Sequence, residues 1–241
     1  MCVHFIKYSL KMEQNNLKVI ISGYGRMGHM VEACLRKRGI ECAACSEDIT
    51  ATPRELAAEC VCIDFTVPDA FRANYKFLAE NFKAVVVGTT GWDDIRQDVV
   101  SYFEKCGTTM IYSSNYSIGV NILFATAEFI SRMAARFGGY TTAIEETHHI
   151  HKLDAPSGTA KTLASIVDGA TGCTTPIQSF RIGEVAGIHT LNLTGGADRL
   201  TLTHEAFSRE GFAAGAVEAA VMTQGISGVH EFKELILNTA E

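Results

Sequence analysis

From residue 17 onward, short apolar runs alternate with stretches whose apolar positions recur every three to four residues. Leu17 to Ser22 is a β-branched apolar run, the pattern of a strand buried on both faces. Arg26 to Arg38 follows, with Met27, Met30, Val31, Cys34 and Leu35 on one helical face. Further strand-like runs come at Glu41 to Cys45, Cys60 to Phe65, Ala84 to Val87 and Thr109 to Tyr112, with helical segments at Asp69 to Ala79 and Asp93 to Glu104. Strands alternating with helices predict a parallel, doubly wound sheet with right-handed crossovers.

The pattern changes after Ser117. Val120 to Phe137 reads as a long helix, Thr141 to Thr147 as a strand and Thr159 to Asp168 as a helix. Three strand-like runs follow at Ile177 to Ile182, His189 to Leu193 and Leu200 to Thr203, the last two joined by the Gly195-Gly196 turn. That order predicts a smaller α+β domain with a mixed or antiparallel sheet. Gly215 to Leu237 returns to helix. The expected boundaries are 17–117 for the first domain and 118–211 for the second, with 1–16 as an N-terminal extension and a functional start near Met12.

Composition excludes several classes. Lys and Arg total 21 against 27 Asp and Glu, and no basic stretch marks a nucleic-acid footprint. No uninterrupted apolar run reaches the ~18 residues that suggest a membrane span, and the N-terminus lacks the apolar core and cleavage site of an export signal. A cytoplasmic protein with reduced thiols is expected. The eight cysteines include Cys42-x-x-Cys45 and Cys60-x-Cys62, but strand residues three apart point to opposite faces, so no metal is expected there.

Gly23-Tyr24-Gly25-Arg26-Met27-Gly28 matches G-x-G-x-x-G between a strand and a helix. In that context the glycines allow a tight turn and close approach of a pyrophosphate, and the helix N-terminus offers free N–H groups and a positive dipole end. An acidic residue ~20 positions on should meet the adenosine ribose. Glu47 stands there, with Asp48 or the Ser46 backbone as alternatives. No Lys or Arg lies between Cys45 and Pro53 to meet a 2′-phosphate, so NADH is favoured over NADPH. Two small polar loops at strand ends, Gly88-Thr89-Thr90-Gly91 and Ser113-Ser114-Asn115-Tyr116, suit a nicotinamide.

The densest chemistry lies in Glu145 to Ala160. Three of the chain's eight histidines, His148, His149 and His151, crowd beside Lys152. Ser157-Gly158-Thr159 then opens a helix with Ser157 as its cap, so the helix N-terminus and Lys152 form a carboxylate site. A lysine near histidines lowers their pKa and keeps a neutral imidazole able to exchange protons. The lysine would also repel a cation, so no metal is expected at these histidines.

Here the chain resembles the dihydrodipicolinate reductase family. The signature E-x-H-H-x-x-K-x-D-A-P-S-G-T-A is nearly complete from Glu146 to Ala160. Ile63-Asp64-Phe65-Thr66, Val87 to Gly91, Ser114 to Asn121 and Arg181 to Thr190 resemble family segments in family order. The glycine loop is one residue shorter than the commoner family form. The resemblance implies a Rossmann-type domain, completed by the C-terminal helices about 212–241, and a substrate domain whose sheet builds a homotetramer. It implies NAD(P)H-dependent reduction of a cyclic unsaturated dicarboxylate. His148 takes the proton donor/acceptor position and Lys152 the proton-donor position, and which of them gives the final proton stays open. His149, Gly158 and Thr159 take substrate positions; the glycine loop, Glu47, Gly88 to Thr90 and Ser113 to Tyr116 take cofactor positions. A semialdehyde dehydrogenase would need a nucleophilic cysteine paired with a histidine, which Cys106 and Cys173 lack. A redox-sensing regulator would need a basic DNA-contacting segment.

Overall fold

The computed structural model describes residues 16–238. The expected start near Met12, most of the extension and Cys2 lie outside the described residues. The chain forms two compact units: one ends at Ser117 and resumes at Phe212, and the other is Ile118–Gly211.

The first unit is built on a six-stranded sheet in the order β10-β5-β4-β3-β1-β2. Its strands are β1 (Lys18–Ser22), β2 (Glu41–Ser46), β3 (Val61–Asp64), β4 (Ala84–Val87), β5 (Thr109–Tyr112) and β10 (Val229–Glu231), and every pairing is parallel. Strand alternation makes two cores from one apolar run. Val19 and Ile21 face Leu35 and Val217, whereas Ile20 faces Leu78 and Phe103. Each such side chain stabilises the fold by about 1.5–3 kcal/mol, which is why the central strands contain almost no polar residues. The helices are α1 (Arg26–Arg38), α2 (Arg54–Glu59), α3 (Pro68–Asn81), α4 (Arg96–Cys106), α7 (Glu210–Met222) and α8 (Phe232–Asn238).

Three expectations are corrected here. Gly215 to Leu237 is not one helix: α7 ends at Met222, and β10 and α8 follow a break at Gly225 and Gly228, the latter at φ 95°. The short helix α2 occupies a stretch with no expected helix. Cys42 and Cys45 do not point apart, because their Sγ atoms stand 3.7 Å from each other. A register shift pairs Val19 with Cys42 but Ile20 with Ala44, so one residue of β2 bulges and the alternation slips by one.

The second unit carries the sheet β7-β6-β8-β9: β6 (Thr141–His148), β7 (Ile177–Arg181), β8 (Gly187–Thr194) and β9 (Arg199–Ala206). It is mixed, with β6–β7 parallel and the other two pairings antiparallel. Helices α5 (Ile118–Phe137) and α6 (Gly158–Thr171) bury Val120, Leu123, Phe124, Leu163 and Val167 against Ile144, Leu191 and Leu193. Among the described residues α5 is the one helix long and apolar enough to cross a membrane. Its buried face lines this core, and Glu128, Arg132 and Arg136 interrupt the rest.

Candidate active site

In the first unit the strand order places its topological switch between β1 and β3, where doubly wound sheets bind ligands at the strand carboxyl ends. The glycine loop lies there. Gly23 has φ 84°, and a Cβ on it would stand 2.5 Å from the Phe65 carbonyl oxygen. A Cβ on Gly28 would collide with the Gly23 carbonyl, and one on Gly88 with the Phe65 ring. Helix α1 starts at Arg26 with no acidic residue in its first turn and no side-chain cap, so its N-terminal amides and dipole suit a pyrophosphate. Arg26 is exposed, while Met27 packs partly on the core. The Tyr24 hydroxyl donates to Glu32 at 2.6 Å, which pushes the phenol up to about 12.

Asp48 is committed as a cap, accepting from the Thr50 amide and hydroxyl at 3.1 and 2.6 Å, which leaves the exposed Glu47 beside it as the carboxylate available to a ribose. Asp64, absent from the expected site, organises the loops behind it. Buried at 1% exposure, it accepts from the Thr66 and Thr89 hydroxyls, each at 2.8 Å. Burial pushes its carboxyl up, and those hydrogen bonds oppose the shift. Thr89, Thr90, Ser113 and Ser114 line one cleft with Arg96 and Glu231, which the sequence reading had not singled out. Asn115 closes the loop locally, its amide donating to Ser113 at 3.1 Å and its side chain accepting from the Ser117 amide at 2.9 Å. The Tyr116 side chain is in the core between Phe65 and Phe232, with its hydroxyl donating to the Val87 and Ile111 carbonyls at 2.9 Å. Only its backbone can meet a ligand.

In the second unit the strand-like start of the dense segment, β6, puts Glu146 and His148 on one face two residues apart. Glu146 has 0% exposure. It accepts from the Ser157 amide at 3.0 and 3.2 Å, from Ser179 Oγ at 2.7 Å and from Arg181 at 3.3 Å. Ser157 Oγ caps α6 by accepting from the Ala160 amide at 3.2 Å. Gly158 opens the helix beside it, exposed, with nothing within 4 Å of where a Cβ would stand. Lys152 reaches Asp154 at 2.8 Å, and Arg181 straps this loop through the carbonyls of Lys152 and Asp154 at 3.3 and 2.5 Å. His149 is half-buried, with its Nδ1 enclosed and unbonded, and His151 pairs with Glu184 at 3.2 Å. Convergent metal-ligand atoms come from Glu146, His148 and His189 rather than from the three motif histidines, but there Glu146 is already occupied by four donor contacts and Arg181 brings positive charge. The roles of Glu146, Ser179, Arg181 and His189 were not read from the sequence. They lie opposite one another only once the strands are in register.

Burial is the first cause that pushes His148 down, with Lys152 and Arg181 adding to it and Glu146 opposing; the lysine invoked from the sequence is a lesser cause. Burial and then His148 push His189 down to about 4. A histidine lowered in the folded state binds its proton first in the unfolded chain. Stability is therefore full above its ordinary 6.5 and is lost as pH falls toward about 4. Denaturant midpoints should drop between neutral pH and pH ~4.5, and His189→Asn should flatten that slope. An equal slope in the variant would contradict this account.

Residues 17–116 match the family model described as dihydrodipicolinate reductase, N-terminus, and residues 119–236 match the one for its C-terminus. The chain belongs to the dihydrodipicolinate reductase family. The 4-hydroxy-tetrahydrodipicolinate reductase of Christiangramia forsetii is 34% identical over 233 residues, covering 91% of this chain and 98% of that protein. That of Akkermansia muciniphila is 37% identical over 237 residues, covering 87% and 93%. The fold is shared with a dipicolinate-bound dihydrodipicolinate reductase from Paenisporosarcina sp. TG-14, at a TM-score of 0.77 and 22% identity, over 90% of this chain and 98% of that one. Dihydrodipicolinate reductases are NAD(P)H-dependent, and the glycine loop, the bare start of α1 and Glu47 fit a dinucleotide.

Proposed function

We propose that the chain reduces 4-hydroxy-tetrahydrodipicolinate to tetrahydrodipicolinate with NADH or NADPH, on the route to diaminopimelate and lysine. The observation that carries this reading is the gathering of His148, the capped start of α6 and, through Arg181, the Lys152 loop around one buried carboxylate, Glu146. When bound, the dinucleotide supplies a hydride to the conjugated imine of the ring. The electron pair displaced onto the ring must then be protonated. His148 and Lys152 are placed to give that proton. The substrate's two carboxylates are met by Lys152, released from Asp154, by His149, and by Ser157, Gly158 and Thr159 at the N-terminus of α6. Gly23, Tyr24, Gly25, Arg26, Met27 and Gly28 cradle the pyrophosphate. Glu47 takes the ribose hydroxyls, favouring NADH because its charge would repel a 2′-phosphate. Gly88, Thr89, Thr90, Ser113, Ser114 and Asn115, with the Tyr116 backbone, receive the nicotinamide end.

A homotetramer is the proposed assembly. Phe129, Met133 and Phe137 on α5, and Leu200 on the edge strand β9, are exposed apolar residues of the second unit that such an assembly would cover. A cytoplasmic location is supported by the seven described cysteines, all free, including the close pair Cys42 and Cys45.

The test is dihydronicotinamide oxidation with the substrate generated in place by the preceding synthase from pyruvate and aspartate semialdehyde. Oxidation is expected only when the synthase is present, and faster with NADH than with NADPH. A faster NADPH reaction would overturn the role given to Glu47. No oxidation by folded, NADH-binding protein would overturn the substrate.

A further inference from the structure

We propose that Glu146 is a positioning residue that sets which nitrogen of His148 faces the substrate and holds the imidazole ready to carry charge. This rests on His148 being a proton donor of the reaction above.

The geometry begins with the strand. Two-residue spacing on β6 brings Glu146 beneath His148, and the His148 Nδ1 stands 3.5 Å from Glu146 Oε2, a contact of the length that tightens when a site fills. That nitrogen is enclosed and has no hydrogen bond among the described residues, so the carboxylate is the acceptor within reach of an Nδ1–H. The other nitrogen, Nε2, lies on the Gly187 side of the ring, where a Cβ would crowd it at 3.2 Å. Glu146 stays anionic in full burial because the Ser157 amide, Ser179 and Arg181 donate to it.

A carboxylate held this way orients the imidazole and stabilises the imidazolium, as in a carboxylate–histidine pair of a hydrolase. In the chemical step the Nε2–H bond of the imidazolium breaks as a C–H bond forms at the ring carbon bearing the displaced electron pair. Neutral Nδ1–H imidazole is left against Glu146. The groups facing His148 are Glu146 on its own strand, Lys152 and Asp154 on the following loop, Arg181 on β7 and His189 on β8. Lys152, Arg181 and His189 disfavour its cation, Asp154 is tied to Lys152, and Glu146 supplies the compensating charge.

The test is Glu146→Gln, which keeps one acceptor oxygen and the shape. The expected result is a fall in kcat of about 10- to 100-fold with KM for the dicarboxylate changed by less than about threefold. The alkaline limb of the kcat–pH profile should move to lower pH, since removing a negative charge makes the imidazolium more acidic. Glu146→Asp, which restores the charge, should move the limb back. A Glu146→Gln enzyme with an unmoved limb would reduce Glu146 to a purely structural role. Should that variant fail to fold, the wild-type protein still decides the matter. Nitrogen-15 NMR of its histidine rings, with His148 identified by the signal lost in His148→Gln, should show the neutral Nδ1–H tautomer, and an Nε2–H tautomer would overturn the proposal. If His148→Gln keeps wild-type kcat, the assignment of His148 itself fails; if it is inactive while Glu146→Gln keeps its limb, only the role of Glu146 fails.

Discussion

Lys152→Ala lowers kcat by about 100- to 10,000-fold and leaves NADH affinity unchanged. The magnitude follows from the two jobs proposed for one ammonium group: pairing a substrate carboxylate and supplying or stabilising the transferred proton. In the resting protein that group is a quarter exposed and parked on Asp154 at 2.8 Å, an ion pair weak enough to yield to an incoming carboxylate. The selectivity follows from the chain's division, because the glycine loop, Glu47 and the Asp64-anchored loops all belong to the other compact unit. Steady-state kinetics with NADH fluorescence titration reads both quantities. A kcat within tenfold of wild type, or an equal loss of NADH affinity, would contradict the assignment.

Gly215→Ala is expected to destabilise the first unit by about 3–5 kcal/mol. Gly215 sits in α7 where the helix backbone presses on the Tyr116 carbonyl, and a Cβ there would fall inside that oxygen's radius. The colliding atom is backbone, held in place by a buried Tyr116 ring and its two hydrogen bonds, so no rotamer change relieves it. For a chain of this size the loss corresponds to a fall in Tm of about 10 °C, readable by circular dichroism. A Tm equal to that of wild type would show that α7 can retreat without cost. By contrast, a Cβ on Gly158 meets open space.

Legibility followed the range of the interactions. The strands β1, β3 and β4 could be read because burial on both faces leaves a contiguous apolar run, and α1 because Val31, Cys34 and Leu35 repeat at helical spacing. The glycine loop and the His148–Lys152 motif are local in sequence, so their chemistry was visible before any fold. What escaped depends on register or on a distant partner. Strand β10 is three residues long and exists because β5 offers Met110, Ile111 and Tyr112 as an edge. The Cys42–Cys45 approach needs a bulge that no spacing rule announces. Ser179, Glu146, His189 and His204 form one row across all four strands of the second sheet, although more than fifty positions separate its first member in the chain, Glu146, from its last, His204. The seat of the Tyr116 ring escaped for a related reason: its loop position gives no sign that Phe232, more than a hundred positions on, packs against it.

That last contact governs how the molecule comes into being. The core formed by Val19, Ile21, Val31 and Leu35 is completed by Ala216, Val217, Ala220 and Phe232, and β10 adds the sheet's final strand. As the chain leaves the ribosome, the first unit emerges before the second yet lacks one wall until Ala216 to Phe232 are made. The second unit, Ile118–Gly211, is contiguous and has everything it needs earlier. In vectorial synthesis the first unit therefore stands with apolar strands uncovered for several seconds at ~5–20 residues per second, until the stretch from Ala216 to Phe232 arrives as its latch.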